Sequence, residues 1–237
     1  MDTTSYHLSP NRYACVSDGR VVILDLENDK YLSLDADVSA LLRANVDLLS
    51  SREGLPQADP ASPLGKTLAQ LAENGSLSSA QPPRDVDARR QCVAPKSAIL
   101  PHSPFREHLG AHEAARYVAS VVSAKCALRM CSLHRIVLHE RRKAVAARPS
   151  GAIFDPIRAA RLCSVYSRLR VIATGPGQCL FDSLALKRFL AKYGLFPDWI
   201  FGVHLNPFSA HCWLQHGDLL VHDSLDFVSR YTPIMVV

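Results

Sequence analysis

The chain lacks a long apolar run and lacks the features of a secretion signal. Its most apolar helical stretch, residues 117–130, is interrupted by Lys125 and Arg129, so it is too charged to span a membrane. The N-terminal residues contain no basic segment followed by an apolar one, so we expect no signal peptide. These absences together predict a cytoplasmic protein without a membrane span.

Cysteines and histidines at metal-site spacing are also missing. The seven cysteines are an odd number and no export signal accompanies them, so reduced thiols fit better than a disulfide framework. Cys126 and Cys131 have four residues between them, but no second pair stands at zinc-finger spacing. The histidine pairs of the helical region do not match the His-Glu-x-x-His motif. We therefore predict no metal and no cofactor.

Positive charge is scarce in the first third of the chain. Residues 1–80 contain 6 Lys and Arg against 11 Asp and Glu, whereas the remaining residues contain 21 against 11. Binding to nucleic acid requires basic side chains that neutralise phosphates, so the acidic first part argues against a DNA-binding role. The basic second part either holds an acidic partner or is a solvated surface.

The first 80 residues have the pattern of a small module of strands and helices. Three short apolar runs separated by turns predict a meander over residues 13–16, 20–26 and 30–34. Helices follow, one capped by Asp35 and one over residues 64–73. This order predicts a winged-helix-like module, whose exposed third strand could pair with an extended peptide. The alternative is that the module merely packs on the rest of the chain.

A proline-rich segment and then three helices follow this module. Residues 81–104 contain five prolines among polar residues, which predicts a linker. The pattern of residues 105–237 begins with helices over about 105–130, 133–147 and 156–169. Strands near the C-terminus complete the pattern, so the fold class is α+β, with a second domain at residues 105–237.

A cysteine at the start of a helix is the first candidate catalytic residue. The turn-forming run Gly175-Pro176-Gly177 precedes Gln178 and Cys179, and the helix continues to about residue 193. A thiol in the first turn of a helix faces the positive end of the helix dipole, which favours the thiolate. Backbone N–H groups at the same end can stabilise an oxyanion, and the side chain of Gln178 is a further candidate donor.

A histidine and an aspartate on two later strands complete the candidate site. A three-residue hairpin loop would pair residue 215 with residue 219, which places His211 opposite Asp223 on one sheet face. Asp223 would orient the imidazole, with Asp226 as a rival. Cys212 would point to the opposite face and belong to the core. Asp182 would line the cleft or cap the helix. The order Cys179, His211, Asp223 is that of papain-like nucleophilic catalysis.

The motifs around these residues resemble a known family. They are Cys-Leu-x-x-Ser-Leu-Ala-Leu at 179–186, Gly194, Phe-Gly-Val at 201–203 and Pro-Phe-x-Ala-His-x-Trp at 207–213. Over residues 100–237 the chain resembles the transglutaminase-like leader peptidases of lasso peptide biosynthesis, the B proteins. Residues 6–78 resemble their PqqD-like precursor-peptide recognition element. One position departs from the family. Asp182 stands before Ser183, where many members have a basic residue, so the chemistry of the leader-side subsite does not follow from the resemblance.

The resemblance implies a papain/transglutaminase-like cysteine protease domain that cuts between leader and core of a ribosomally made precursor peptide. It implies Cys179 as nucleophile, His211 as general base and acid, and Asp223 as orienting carboxylate. A separate, ATP-consuming, asparagine-synthetase-like cyclase would then act on the freed core. The implied leader contacts lie on the third strand and the second long helix: Lys30, Tyr31, Leu32, Ser33, Leu34, Leu68 and Leu71.

Two other functions are compatible with the same residues. One is acyl transfer from an amide to an amine, as in true transglutaminases, which would give a joined product instead of two fragments. The other is a peptide-binding adaptor that delivers the precursor to the cyclase without cutting it.

Overall fold

The computed structural model describes residues 5–51, 53–79, 92–99, 110–147, 154–170 and 178–237. The described residues form two compact units. The first unit holds the described residues up to 79 together with 203–209 and 232–235. The second unit holds those between 92 and 202 together with 210–231 and 236–237. Within the described ranges, no helix is both long enough and apolar enough to cross a membrane.

The N-terminal region contains two small sheets. Its strands are β1 (Ser5–Leu8), β2 (Arg12–Ser17), β3 (Arg20–Asp25), β4 (Lys30–Ser33), β5 (Leu55–Pro56) and β6 (Leu77–Ser78). Strands β2, β3 and β4 form an antiparallel meander in that order, as the sequence predicts. The second sheet has the order β5-β1-β6. Its strands contain two to four residues, which is too short for an alternating pattern to be recognised.

Three helices cover the apolar faces of these strands. They are α1 (Ala36–Leu42), α2 (Val46–Leu49) and α3 (Pro63–Glu73). Helix α3 begins where the Ser62 hydroxyl accepts a hydrogen bond of 3.0 Å from the backbone N–H of Gly65. Leu68 and Leu71 on α3 are buried in the same core cluster as Val21 and Ile23 of β3. The region therefore has a core of its own, and its assignment as a PqqD-like module remains a prediction.

The C-terminal region has a layer of helices. They are α4 (Ala111–Met130), α5 (Leu133–Ala147), α6 (Pro156–Arg170), α7 (Cys179–Ala191) and the short α8 (Leu225–Val228). The first four agree with the predicted helices, although the predicted start of α4 at residues 105–109 lies outside the described residues. Tyr117 of α4, Tyr166 of α6 and Phe189 of α7 form an aromatic cluster with ring centroids 5.3 to 6.5 Å apart. This cluster packs α7 between its neighbours and fixes the helix that begins at Cys179.

A five-stranded sheet packs with these helices. Its strands are β7 (Ser97–Ile99), β8 (Asp198–Leu205), β9 (Phe208–His216), β10 (Leu219–Val221) and β11 (Thr232–Val236). The order is β11-β8-β9-β10-β7, and β7 runs parallel to β10. Residues 97–99, which lie within the predicted linker, are therefore part of this sheet. The rest of the domain division, at residues 80 and 105, remains a prediction. The overall fold is α+β.

Candidate active site

Cys179 is the first residue of α7, and its side chain is half-buried. The first intrahelical hydrogen bond runs from the Asp182 N–H to the Gln178 carbonyl, at 2.9 Å. The N–H groups of the three residues before Asp182 are therefore not used by the helix and lie at its positive end. The predicted turn Gly175-Pro176-Gly177 before the cysteine lies outside the described residues.

His211 of β9 is held by Asp223. Its Nε2 lies 2.7 Å from Oδ2 of Asp223, and both side chains are mostly buried. The second carboxylate oxygen of Asp223 accepts a hydrogen bond of 2.8 Å from the backbone N–H of Ser224. Because Nε2 faces the carboxylate, Nδ1 is the ring nitrogen left for the sulfur of Cys179, to which the His211 side chain is hydrogen-bonded. The structure thus brings together the three residues that the sequence singles out.

The predicted strand register is wrong by one residue. Leu219 pairs with His216 and not with residue 215, because the hairpin loop contains two residues, Gly217 and Asp218. Gly217 has a φ of +59°, as the first position of a two-residue hairpin turn favours. A Gly-Asp pair between two strands is a recognised signal for such a turn, so the shorter loop could have been predicted from the sequence.

Asp223 reaches His211 because β10 stops early. A regular strand in the observed register would place Asp223 opposite Cys212, on the wrong face for His211. The strand instead ends at Val221, and His222 adopts a φ of +64°, which bends the chain. The His222 N–H donates to the carbonyl of Ile99 in β7 at 3.0 Å, which fixes this turn. The predicted partner is therefore correct, although the predicted reason for it is not.

The environment of Cys179 favours a thiolate. Hydrogen bonds from the side chain of Cys212 and from His211 lower the pKa of Cys179 to about 4, against the opposing effect of burial. Burial lowers the pKa of His211, but hydrogen bonds to Asp223 and Cys179 and the charges of both outweigh burial and raise that pKa to about 9. Between these two values the pair is a thiolate and an imidazolium, which is the reactive form of a cysteine nucleophile.

This charge state predicts an unusual pH dependence of Cys179 alkylation. With a pKa of about 4, Cys179 remains a thiolate at pH 6, so its rate of reaction with iodoacetamide should fall less than about twofold between pH 8 and pH 6. An ordinary thiol with a pKa near 8.5 should slow by about 10²-fold over the same range. Peptide mapping measures the rate at Cys179, and the exposed Cys126 is mapped in the same digest for comparison. An ordinary profile at Cys179 would contradict the ion pair.

A pocket of about 400 Å³ opens beside Cys179 and His211. Aromatic rings surround the imidazole, with ring centroids at 4.9 Å for Phe227, 5.2 Å for Tyr231 and 6.0 Å for Trp213. These rings limit the access of water to the imidazole, which strengthens its electrostatic interactions. The exposed side chain of Gln178 also lines the pocket and makes no hydrogen bond to the start of α7. Its role as an oxyanion donor stays a prediction.

Sequence reasoning missed an ion pair in this pocket. Arg170 of α6 and Asp182 of α7 line it and lie 2.5 Å apart between Nη2 and Oδ2. Burial raises the pKa of the Asp182 carboxyl, while Arg170 acts to lower it. The predicted position of Asp182 in the cleft agrees with this location. Its arginine partner comes from a different helix, so no local pattern in the sequence indicates it.

A second imidazole, that of His222, was also missed. Its Nε2 lies 2.6 Å from the hydroxyl of Ser167, and its ring meets the ring of Tyr166 edge-on. Burial, and then the charge of Arg170, lower the pKa of His222 to about 4, so this ring is neutral at pH 7. His222 therefore adds a polar but uncharged wall to the pocket.

The structure does not bring Asp226, the rival carboxylate, to the imidazole. Asp226 is exposed in the first turn of α8, and the only carboxylate hydrogen-bonded to His211 within the described part of the chain is that of Asp223. A cluster of possible metal-binding side chains is also absent from the described residues. The described residues include no group of three or more His, Cys, Asp or Glu side chains that could hold a metal ion.

The predicted leader contacts divide into an exposed and a buried set. Lys30, Leu32 and Ser33 are exposed on β4, Tyr31 is half-buried, and Leu34 follows the strand and is buried. Strand β4 is the last strand of its sheet, so one of its edges carries no strand among the described residues. Leu68 and Leu71 lie inside the core, so neither presents a surface to a peptide. Helical spacing identifies a buried face but does not show whether that face meets the core or a ligand.

A half-buried cysteine beside a histidine that is hydrogen-bonded to a carboxylate is consistent with protease or acyltransferase chemistry. A model of the Transglutaminase-like superfamily matches residues 118–236, which is half of the chain and includes all three side chains. The chain belongs to this superfamily, which includes both cysteine peptidases and acyltransferases. Comparisons with curated proteins and with solved structures gave no significant match.

Proposed function

We propose that this protein is a leader-specific cysteine peptidase of lasso peptide biosynthesis, acting in the cytoplasm. It hydrolyses the bond between leader and core of a ribosomally made precursor. The observation that carries the proposal is the contact of Cys179, His211 and Asp223 in one pocket at the start of α7. The motifs around these residues, which resemble those of the lasso B proteins, supply the substrate class.

The acylation step uses the ion pair directly. The Cys179 thiolate attacks the carbonyl carbon at the end of the leader, and the developing oxyanion faces the N–H groups at the start of α7 and Gln178. His211 then gives the proton on Nδ1 to the leaving amine of the core. The C–N bond breaks, the core leaves with a free amine, and the leader remains as a thioester on Cys179.

The deacylation step reverses the role of His211. The neutral imidazole accepts a proton from water, whose oxygen attacks the thioester carbon. The C–S bond breaks, the leader leaves with a free carboxyl group, and the thiolate and imidazolium are restored. Asp223 holds the ring orientation in both steps and stabilises the charged form of His211.

Capture of the leader uses the edge of β4. The backbone groups of Lys30–Ser33 on the side away from β3 can pair with an extended peptide, and side chains on the exposed face supply contacts. Leu34, Leu68 and Leu71 support this strand and helix from within the core and do not touch the leader. The released core then passes to an ATP-dependent, asparagine-synthetase-like cyclase, which is the proposed partner protein.

The products of one reaction test this function. The substrate is a synthetic precursor peptide encoded by a short open reading frame beside the gene, and intact masses are recorded after incubation with the purified protein. We expect two fragments whose summed mass exceeds that of the precursor by one water. An intact precursor, both with and without the cyclase, would contradict the peptidase function.

The same experiment distinguishes acyl transfer, which the superfamily also supports. An added primary amine, such as a lysine-containing peptide, would then become joined to the substrate with loss of ammonia or of the core. Tight binding of the precursor with no change of mass would instead identify an adaptor. Each of these outcomes excludes hydrolysis as the main activity.

Substitution of Leu32 tests the strand that binds the leader. Leu32 is 44% exposed on β4, so Leu32→Asp places a charge on the proposed contact without disturbing the core. We expect the affinity for a fluorescent leader peptide to fall about tenfold, while the rate of cleavage at saturating substrate is unchanged. The measurement is fluorescence anisotropy, followed by cleavage assays over a range of substrate concentrations.

Val16 provides a matched control for Leu32. It is 37% exposed on β2, which is the other edge strand of the same three-stranded sheet. Val16→Asp should leave the affinity for the leader within about twofold of that of the unmodified protein. Equal losses in the two variants, or no loss in either, would remove strand addition on β4 from the proposal.

A further inference from the structure

The pocket holds a second thiol that peptide cleavage does not use. Cys212 follows His211 on β9, is 4% exposed, and has its sulfur 3.3 Å from the Ser183 hydroxyl. That hydroxyl also donates a hydrogen bond of 2.6 Å to the backbone carbonyl of Cys179. Trp199 donates to the same oxygen at 2.8 Å, which fixes the hydroxyl. One buried serine therefore contacts both cysteines.

The two cysteines are neighbours in the pocket, joined through Ser183. The side chain of Cys212 is hydrogen-bonded to the sulfur of Cys179, and its backbone N–H donates to the same sulfur. The sulfur of Cys179 therefore lies beside the backbone of β9, where it reaches the side chains of both His211 and Cys212. Cys212 is buried, as predicted for a core residue, and it also lines the pocket beside the nucleophile.

We propose that Cys212 is a resolving thiol, which converts an oxidised Cys179 into an internal Cys179–Cys212 disulfide. The oxidant is a hydroperoxide, which reaches the half-buried Cys179 through the pocket. This modification rests on the reactive Cys179 of the proposed function. It requires no peptide substrate, so it can be tested whether or not the protein cleaves one.

The chemistry of this proposal balances in two steps. The Cys179 thiolate attacks one peroxide oxygen, the O–O bond breaks, and the released hydroxide takes a proton from His211, which leaves a sulfenic acid and water. The Cys212 sulfur then attacks the Cys179 sulfur, the S–O bond breaks, and the leaving hydroxide takes the thiol proton as a second water. In total, two thiols and one hydrogen peroxide give one disulfide and two waters.

The environments of the two cysteines set their order of reaction. Hydrogen bonding to the Cys179 thiolate, followed by burial, raises the pKa of Cys212 well above its usual range. Cys212 is therefore a protonated thiol at rest, and Cys179 is the cysteine that reacts first with peroxide. Oxidation of Cys179 to a neutral sulfenic acid removes the negative charge beside Cys212. The main obstacle to its ionisation disappears at the step in which its sulfur must attack.

The disulfide would protect Cys179 from permanent damage. A sulfenic acid without a nearby thiol proceeds to sulfinic and sulfonic acids, which dithiothreitol does not reduce. The internal disulfide blocks the nucleophile but returns it when a thiol reductant is added. Cys212 would thus allow the protein to survive a pulse of oxidant in an inactive form.

Peptide mapping after a pulse of hydrogen peroxide tests this proposal. The full chain is treated, free thiols are blocked in acid, and the protein is digested without reductant. We expect a peptide pair linked through Cys179 and Cys212, and return of Cys179 alkylation by iodoacetamide after dithiothreitol. In Cys212→Ala and Cys212→Ser the recovery should fall about tenfold, with sulfinic and sulfonic acid at Cys179.

Cys15→Ala is the matched control, since Cys15 is also buried, at 8% exposure, but is not in the pocket. Its recovery should equal that of the unmodified protein. Absence of the linked peptide in the unmodified chain would overturn the proposal without recourse to any variant. Equal over-oxidation of Cys179 with and without Cys212 would overturn it as well.

Discussion

Replacing Cys179 with alanine is expected to lower the cleavage of the precursor by at least about 10⁴-fold, because Cys179 supplies the thiolate that forms the thioester and the second thiol of the pocket, that of Cys212, is buried. The leader would still pair with β4, so its affinity should remain within about twofold of that of the unmodified protein. The measurements are product masses under single-turnover conditions and fluorescence anisotropy with a labelled leader peptide.

Cys126→Ala is the control for loss of a thiol, because Cys126 is exposed on α4 and does not line the pocket. Its cleavage rate should be unchanged. Undiminished cleavage by Cys179→Ala would exclude covalent catalysis by this residue. Loss of both cleavage and leader binding would show that the substitution disturbs the fold, and Cys179→Ser then provides the more conservative test.

Replacing Asp223 with alanine is expected to reduce the cleavage rate at saturating substrate by about 10²-fold or more, as removal of an orienting carboxylate does in related triads. Without the carboxylate, Nε2 of His211 loses its 2.7 Å partner, so the imidazolium is less stable and the ring is free to rotate. The alkylation of Cys179 at pH 6 should slow as well, because a less stable imidazolium at His211 gives less support to the Cys179 thiolate.

Asp226→Ala separates this effect from a general loss of negative charge. Asp226 stands three residues later, is exposed, and makes no contact that orients His211 within the described structure. Its cleavage rate should stay within about twofold of the unmodified rate. A larger loss in Asp226→Ala than in Asp223→Ala would assign the third position of the triad to the rival residue.

Local signals in the sequence identified the elements that carry the reactive side chains. The start of α7 at Cys179 and the strand that carries His211 follow from turn residues and apolar patterns that extend over a few positions. The partnership of His211 with Asp223 depends on the left-handed turn at His222, which a β-branched or apolar pattern does not reveal. The sequence predicts this contact from a strand register that the structure contradicts.

The walls of the pocket could not be predicted in the same way. Arg170, His222 and Cys212 line the pocket beside Cys179 only because three separate elements pack together. Sequence spacing sets the face of a helix or strand, but it does not say which other element that face meets. Leu68 and Leu71 show the same limit, since an apolar stripe fits a core and a binding groove equally well.

The position of β7 has a consequence for any attempt to separate the proposed cleavage from the proposed leader binding. Residues 97–99 lie upstream of the predicted domain start at residue 105, yet the carbonyl of Ile99 accepts a hydrogen bond from the backbone N–H of His222, the residue before Asp223. A protease-only fragment trimmed to residue 105 would lose this anchor, even though all three reactive groups would still be encoded. An autonomous hydrolase would have to retain the chain from before Ser97.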